Sequence, residues 1–181
     1  MERFFFITCF MILVGCKEDK SENINKKTEY ENRVNPYLTV TLKAKVEESD
    51  KFQLYFSEEI LGQYHPEDIV EVNLKGSDDF QLINFELPER IYPIKLRVDL
   101  GVNKRESPIV IEEITLSTGS KSKVYRNSEL LKYFKPNKYI ELDEATQSYN
   151  RKVVDGIYDP FLISININKV VTSLFKKKSI E

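Results

Sequence analysis

Hydrophobic and polar residues alternate along most of the chain from residue 37 onward. Between Leu38 and Val46 every second residue is apolar, and threonine or lysine occupies most positions between them. A period of two is typical of a half-buried β-strand that has one face on a core and one face in water. The same kind of pattern predicts further strands at residues 52–56, 70–74, 80–87, 94–100, 109–116, 138–142 and 161–167.

Turn-forming residues separate these segments. Gly76-Ser77-Asp78-Asp79 and Ser117-Thr118-Gly119-Ser120 are clusters of the kind that reverse the chain. Within 109–116 the apolar positions change phase between Ile111 and Ile114. A phase change inside one strand indicates an extra residue, so the pattern predicts a β-bulge near Glu112 and Glu113.

One short helix is predicted near 128–134. Asn127 or Ser128 can cap its start, Leu130, Leu131 and Phe134 fall at helical spacing, and Pro136 stops it. About eight short strands with turns between them favour two packed sheets or a barrel. We expect an all-β fold, an antiparallel β-sandwich that is jelly-roll-like and carries this one helix, with a barrel as the alternative.

The first residues have the layout of a secretory signal. Arg3 supplies a positive charge, residues 4–14 are apolar except for Thr8, and the small residue Gly15 precedes Cys16. The apolar run is shorter than the roughly 20 residues that a membrane-spanning helix needs. The sequence therefore predicts a signal peptide over 1–15 that is cleaved.

Leu13-Val14-Gly15-Cys16 resembles the lipobox of bacterial lipoproteins. The resemblance implies cleavage before Cys16 and attachment of a diacylglycerol and an N-acyl lipid to that residue, which together hold a protein stably on a membrane. Lys17-Glu18-Asp19 is similar to the surface-export signal of Bacteroidota lipoproteins, which implies a lipid-anchored, surface-exposed position on the outer membrane. The alternatives are a periplasm-facing position and an ordinary secretory signal.

Composition divides the rest of the chain. We expect the polar residues 16–35 to form a flexible tether, lipidated as the lipobox resemblance implies, 36–175 to form the β-sandwich domain, and 176–181 to form a polar tail. The lysines at the start of this tail are either solvated or contact anionic lipid headgroups. Cys9 and Cys16 fall in the signal and the anchor, so the mature domain has no thiol or disulfide. The formal charge of −2 has acids and bases interspersed, which argues against a dedicated nucleic-acid binder.

The order of segments between Phe52 and Phe134 resembles the carbohydrate-binding-module-like sandwiches of bacterial surface and glycan-assembly proteins. The resemblance covers about half of the mature chain and runs through the segments 52–56, 80–88, 96–101, 109–116 and 133–137. It implies a sandwich and, beyond that, glycan binding. Such faces often use tryptophan to stack on sugars, and this chain has no tryptophan. Tyrosine and phenylalanine would have to serve instead.

Tyrosines are therefore the candidate ligand-binding residues. The predicted set is Tyr55, Tyr64, Tyr125 and Tyr158, with Tyr149 as a further candidate. A tyrosine ring can stack on a ligand while its hydroxyl makes a hydrogen bond, which suits an amphipathic ligand. The alternative is that these tyrosines occupy strand positions because their shape favours a sheet.

No motif predicts a catalytic residue or a cofactor. His65 is the only histidine, so a multi-histidine metal site is excluded. Glu58, Glu59, Asp155 and Asp159 could supply oxygens to a structural calcium ion, but no calcium-loop spacing is present. The chain has no Gly-x-Ser-x-Gly motif and no glycine-rich phosphate loop.

Three functions remain open. The first is a lipid-anchored binding module for a glycan or another cell-envelope ligand, with an exposed tyrosine patch. The second is an accessory or structural lipoprotein that docks on another envelope protein through a sheet edge or an apolar patch. The third is a hydrolase, which needs two acids, or one acid and His65, in a pocket. We rank the three functions in this order.

Overall fold

A computed structural model describes residues 37–61, 63–104, 107–119 and 121–176. The predicted signal peptide 1–15, Cys16 with the export signal, the tether 16–35 and residues 177–181 of the predicted tail lie outside the described residues. The predictions made for them stay predictions.

Within the described part of the chain, eleven strands form two sheets in which every pair of neighbours is antiparallel. The six-stranded sheet has the order β4-β1-β6-β10-β9 with β7 also paired to β6, and the five-stranded sheet has the order β3-β2-β5-β11-β8. The predicted antiparallel β-sandwich is confirmed. The strands are β1 (Thr39–Val46), β2 (Asp50–Ser57), β3 (Ile69–Leu74), β4 (Ser77–Glu86), β5 (Lys95–Asp99), β6 (Ile109–Thr118), β7 (Lys121–Arg126), β8 (Phe134–Pro136), β9 (Ile140–Asp143), β10 (Ser148–Arg151) and β11 (Phe161–Ser164).

The inward faces of the two sheets make one hydrophobic core. Leu42 of β1 and Ile114 of β6 come from the six-stranded sheet, and Leu54, Val98 and Leu162 come from the five-stranded sheet; all five are fully buried. Burying one such side chain contributes about 1.5–3 kcal/mol. The alternation read from the sequence is therefore the alternation that packs one sheet on the other.

The predicted β-bulge is confirmed at Glu112. Lys43 of β1 pairs with Glu113, but the next residue of β1, Ala44, pairs with Ile111. Glu112 is thus the extra residue on β6. The bulge also marks a change of partner: residues 109–110 of β6 pair with β10, and residues 113–118 pair with β7.

Two predicted turns are shorter than the sequence suggested. β4 begins at Ser77, so Ser77, Asp78 and Asp79 belong to the strand. β6 runs through Thr118, which pairs with Lys121 at the start of β7. Ser77 pairs with Val46 and Thr118 pairs with Lys121, so a polar residue of each cluster takes part in a sheet, and composition alone does not separate such a strand end from a turn.

The predicted helix near 128–134 is confirmed as α1 (Asn127–Tyr133), with two corrections. Arg126, just before it, is extended and no side chain caps the helix, so the predicted capping by Asn127 or Ser128 is wrong. Phe134, placed in the helix by its spacing, instead begins β8 and is fully buried. Tertiary packing of its ring in the core outweighs the helical spacing.

The end of the chain also differs from the prediction. β11 stops at Ser164, and its inward residues are Leu162 and Ser164 instead of Phe161 and Ile163. Leu162 pairs with the core residue Val98. The Ser164 hydroxyl accepts a hydrogen bond from the Leu96 amide at 2.7 Å, which lets a polar side chain face inward.

A second helix, α2 (Asn168–Phe175), follows β11 and was not predicted. It buries Val171 and Leu174 against the core. No helix among the described residues is long and apolar enough to cross a membrane.

A buried ion pair joins the two sheets. Asp50 begins β2 in the five-stranded sheet, Arg151 ends β10 in the six-stranded sheet, and each side chain is 1% exposed. Arg151 Nη1 donates to Asp50 Oδ2 at 2.8 Å and to the Leu100 carbonyl at 3.0 Å. Asp50 Oδ1 accepts hydrogen bonds from the amides of Lys51, Val102 and Asn103 at 2.8–3.1 Å. The pair therefore fixes both strands and the loop that follows β5.

We predict that Arg151→Ala destabilises the domain by about 3–5 kcal/mol, because it leaves the Asp50 carboxylate buried without its countercharge. The measurement is the free energy of unfolding from urea titrations followed by circular dichroism. The control is Lys152→Ala, which removes the exposed ion pair with Glu141 at 3.5 Å and should cost less than about 1 kcal/mol. Equal losses of unfolding free energy in the two variants would show that the buried ion pair contributes no more than the exposed one.

We also predict that Gly101→Ala is more damaging than Gly156→Ala. Both glycines have positive φ, +98° and +78°, so alanine at either position costs about 1–2 kcal/mol of backbone strain. A Cβ at Gly101 would collide with Asp50 Oδ2 and Arg151 Nη1, whereas a Cβ at Gly156 has no atom within 4 Å. The collision should add about 1–3 kcal/mol, and the same urea titrations would reveal it. Losses of the same size would mean that the ion pair yields without cost.

Candidate functional site

The outer face of the five-stranded sheet carries the candidate site. Alternation along β2, β5 and β11 turns aromatic and charged side chains to this face, and two loops add one side chain each. We call this set the aromatic–charge cluster. Its members are Tyr55 on β2, Tyr64 in the β2–β3 loop, Arg97 and Asp99 on β5, Asp159 just before β11, and Phe161 on β11.

Strand register brings these residues together. Tyr55 of β2 lies opposite Arg97 of β5, and Phe161 of β11 lies opposite Asp99 of β5. Side chains on one face of neighbouring strands contact one another directly or along the diagonal. β5 lies between β2 and β11, so Arg97 and Asp99 are flanked by rings on both sides.

Arg97 is the centre of the cluster. Its guanidinium lies 3.9 Å from the centroid of the Phe161 ring and 5.4 Å from that of Tyr55, which are cation–π distances. Its Nε and Nη2 donate to the two carboxylate oxygens of Asp99 at 2.6 and 2.8 Å. Nη2 also donates to Asp159 Oδ1. A planar group held by two rings and two carboxylates in this way has one orientation.

Burial and charge oppose each other at this centre. Burial raises the pKa of Asp99, and the hydrogen bonds and positive charge of Arg97 offset that rise only in part. Burial acts to lower the pKa of Arg97, but its bonds to Asp99 and Asp159 outweigh burial and raise it. Arg97 thus stays charged at all ordinary pH values, while Asp99 takes up a proton more readily than a solvated aspartate.

Tyr64 extends the row of rings. Its ring meets that of Tyr55 edge-on at 6.1 Å, and Lys95 Nζ lies 5.6 Å from the centroid of the Tyr64 ring. The Tyr64 hydroxyl is buried and has no hydrogen-bond partner among the described residues. Burial raises its pKa to about 12, so the hydroxyl is neutral near physiological pH.

This arrangement suits an amphipathic ligand. The Tyr55 and Tyr64 rings offer apolar surface, and the carboxylates keep acceptor sites that Arg97 does not use, since a carboxylate has about four lone-pair positions. The Asp159 side chain is 39% exposed, so its free oxygen can be reached from solvent. Both acids are engaged by the same guanidinium, which ties them to ion pairing and positioning.

The predicted tyrosines lie in three different environments. Tyr55 and Tyr64 lie together in the cluster. Tyr125 and Tyr149 are fully buried, and burial raises the pKa of each to about 12. Tyr125 packs on Tyr133 and Phe134 in the core, so neither of these two buried rings can be offered to a ligand. Tyr158 is half-buried and directly precedes Asp159.

Sequence reasoning missed four members of the cluster. Arg97 and Asp99 alternate with buried residues in β5, so the period of two already placed them on the wet face, as it placed Tyr55 in β2. Asp159 was considered only as a calcium ligand. Phe161 carried no signal, because an aromatic residue in an apolar segment reads as core.

The other candidate residues lie elsewhere or are engaged. His65 is exposed in the β2–β3 loop. Glu58 Oε1 accepts a hydrogen bond from the Tyr92 amide at 2.8 Å, and Asp159 pairs with Arg97. Among the residues that the structure describes, no group of three or more His, Cys, Asp or Glu side chains could hold a metal ion.

A groove of about 440 Å³ lies apart from the cluster, between the end of α1 and the start of α2. Its lining is polar and basic for the most part, with an aliphatic rim. The lining residues are Lys132, Tyr133, Ile165, Asn166, Asn168, Lys169 and Val170.

Comparison with known proteins adds no assignment. No protein-family model, no curated protein and no solved structure matches this chain. The resemblances to the lipobox and to carbohydrate-binding-module-like sandwiches therefore stay predictions from the sequence.

Proposed function

We propose that this protein is a lipid-anchored module of the cell envelope that binds a glycan on the aromatic–charge cluster. The anchor is the lipid on Cys16, and the outer membrane with the domain exposed at the cell surface is the proposed location. The β-sandwich presents the cluster on an open sheet face, where a chain of sugars can lie across several strands.

The observation that carries the proposal is the fixed guanidinium of Arg97. It lies on the Phe161 ring and is held by Asp99 and Asp159, so the polar groups around it are oriented before any ligand arrives. Sugar rings have apolar C–H faces and equatorial hydroxyls. They are recognised by aromatic rings together with planar polar groups, and preorganised groups lose little entropy on binding.

The charges of the cluster and of its neighbour Lys95 balance, which favours a neutral glycan. Arg97 and Lys95 supply two positive charges, and Asp99 and Asp159 supply two negative charges. The two carboxylates would repel an anionic sugar, and the two bases would repel a cationic sugar. A neutral sugar meets neither repulsion, and its hydroxyls can donate to the exposed oxygen of Asp159.

The second candidate is an accessory lipoprotein that docks on another envelope protein. The observation in its favour is on β4, an edge strand of the six-stranded sheet, where Phe80 is 46% exposed and Leu82 is 63% exposed. The glycan proposal ranks first because the cluster has fixed hydrogen-bonding groups as well as rings. The proposal assigns the chain no catalytic role, no cofactor and no nucleic-acid partner.

We predict that Tyr55→Ala weakens glycan binding by about 10-fold, equivalent to about 1.4 kcal/mol, because it removes a ring that stacks on the sugar. The experiment is a glycan-array screen with the full chain in detergent, followed by calorimetry on the best ligand. Phe80→Ala is the matched control, since it removes an exposed ring from the other sheet and should leave the affinity unchanged.

Equal weakening by Tyr55→Ala and Phe80→Ala would place binding away from the cluster. No binding to any glycan by chain shown to be folded would favour the accessory role instead.

We further predict that the affinity for the glycan falls as pH is lowered from about 7 to about 4. Ionised Asp99 holds Arg97 in place. Because burial raises the pKa of Asp99 above the 3.8 of an ordinary aspartate, its protonation begins at a higher pH and releases the guanidinium. Tyr64, with a pKa of about 12, does not titrate in this range. Calorimetry across this pH range is the measurement.

Asp99→Asn is the control for the pH effect. It should bind weakly at neutral pH and lose most of the pH dependence, since the group that titrates is gone. An unsubstituted chain whose affinity does not change between these pH values would contradict the assigned role of the Asp99–Arg97 pair.

A further inference from the structure

One end of the sandwich carries exposed apolar side chains on loops. Leu61, in the β2–β3 loop, is 96% exposed and its neighbour Ile60 is 80% exposed. Tyr92, in the loop between β4 and β5, is 47% exposed. Adjacent aliphatic side chains this exposed gain from leaving water, so they mark a contact surface. We call this surface, together with Tyr37 and Phe175, the apolar end.

The chain joins the domain at this same end. Tyr37, the first described residue, donates its hydroxyl hydrogen bond to Glu89 Oε1 at 2.7 Å. The loop that holds Glu89 continues to Tyr92, whose amide binds Glu58 beside the Ile60–Leu61 tip. The ring of Tyr92 packs on Phe175 at 4.6 Å. These contacts form one continuous surface from the point where residue 36 is attached to the C-terminal end of α2.

Lysines lie at the same end of the sandwich as the apolar side chains, beside exposed glutamates of the two loops, Glu58, Glu59 and Glu89. The end of β2, the start of β5 and the end of β11 are neighbours in the sheet, so the groove beyond β11, with Lys132 and Lys169, lies at this end. Lys121 Nζ donates to the carbonyl of Lys176 at the end of α2. Lys176 is followed in the sequence by two further lysines.

We propose that the apolar end docks on the lipid bilayer, with Ile60 and Leu61 among the acyl chains, Tyr92 at the interface, and the lysines on anionic headgroups. Apolar side chains beside an aromatic ring and flexible cations suit the interface of a membrane. The inference rests on the lipid anchor at Cys16 in the proposed function.

The anchor makes shallow insertion sufficient. The stretch from Cys16 to residue 36 has about 20 residues and spans at most about 70 Å when extended, so the domain never leaves the neighbourhood of the membrane. Docking is then an intramolecular step at high effective concentration, and two inserted side chains can hold it. Because the tether joins at the docked end, it needs no length to reach around the domain.

The test uses tryptophan as a reporter, because the chain has none of its own. Leu61→Trp places it at the tip of the apolar end. Leu82→Trp, on the outer face of β4, is the matched control, since Leu82 is also an exposed leucine. The full lipidated chain is reconstituted in vesicles of equal parts phosphatidylcholine and phosphatidylglycerol with brominated acyl chains, and vesicles are recovered by flotation.

Leu61→Trp should show a blue-shifted emission that bromine quenches by about half or more relative to unbrominated vesicles, while Leu82→Trp should show neither effect. Chain that floats without quenching at position 61, or with equal quenching at both positions, overturns the docking. A blue shift without quenching overturns it too, and shows that protein covers the loop. Chain that does not float overturns both anchor and docking. Glycan binding, measured in detergent on the same variants, is scored separately from each of these outcomes.

Discussion

Asp50 and Arg151 are 101 positions apart in the chain and share one buried ion pair. The charge of each side chain is tolerable at 1% exposure only because the other is there, so neither strand end can move alone. Arg151 also binds the Leu100 carbonyl, and the Leu100 amide binds the Pro160 carbonyl at 2.9 Å. The same contacts therefore fix the end of β5 and the start of β11. Asp99 and Asp159, which hold Arg97 in the aromatic–charge cluster, lie one residue from these tied positions. The geometry of the outer face depends on a salt bridge inside the sandwich.

The strands that could be read from the sequence are those whose inward positions are apolar, as in β1, or apolar after the first residue, as in β2, which begins with the buried Asp50. Alternation places both, and a change of its phase locates the bulge in β6. β10 could not be predicted, because one of its two inward residues is Arg151, and a charged residue in a sequence is expected to face water. β7 has only one buried residue, Tyr125, and one residue is too few to show a period of two. Half of the candidate site follows the same logic: Tyr55, Arg97 and Asp99 are on the wet face by alternation. Phe161 could not be found, because its ring is turned outward by register and covered by Arg97.

The two outer faces of the sandwich are unlike. On the six-stranded sheet, polar residues pair off individually, as Lys43 does with Glu112 at 2.7 Å and Thr41 with Asn84 at 2.7 Å. Each such exposed pair contributes about 0–1 kcal/mol to stability and does little to fix the orientation of neighbouring side chains. On the five-stranded sheet, one guanidinium collects two rings and two acids into a single unit. Ordering these partners around Arg97 costs side-chain entropy that isolated pairs do not cost, and this concentration of contacts distinguishes the five-stranded face from the six-stranded one.

The extra residue at Glu112 has a consequence for how the chain can vary. It restores the parity of β6, so that Ile109 and Ile111 before it and Ile114 and Leu116 after it all face the core. It also falls where β6 changes partner from β10 to β7. After β7 the chain leaves the six-stranded sheet and continues through α1 to β8. In evolutionary terms, the loops of such a protein can gain or lose residues one at a time. Within β6, a single insertion or deletion would turn half the strand inside out, so length changes there are confined to the bulge itself.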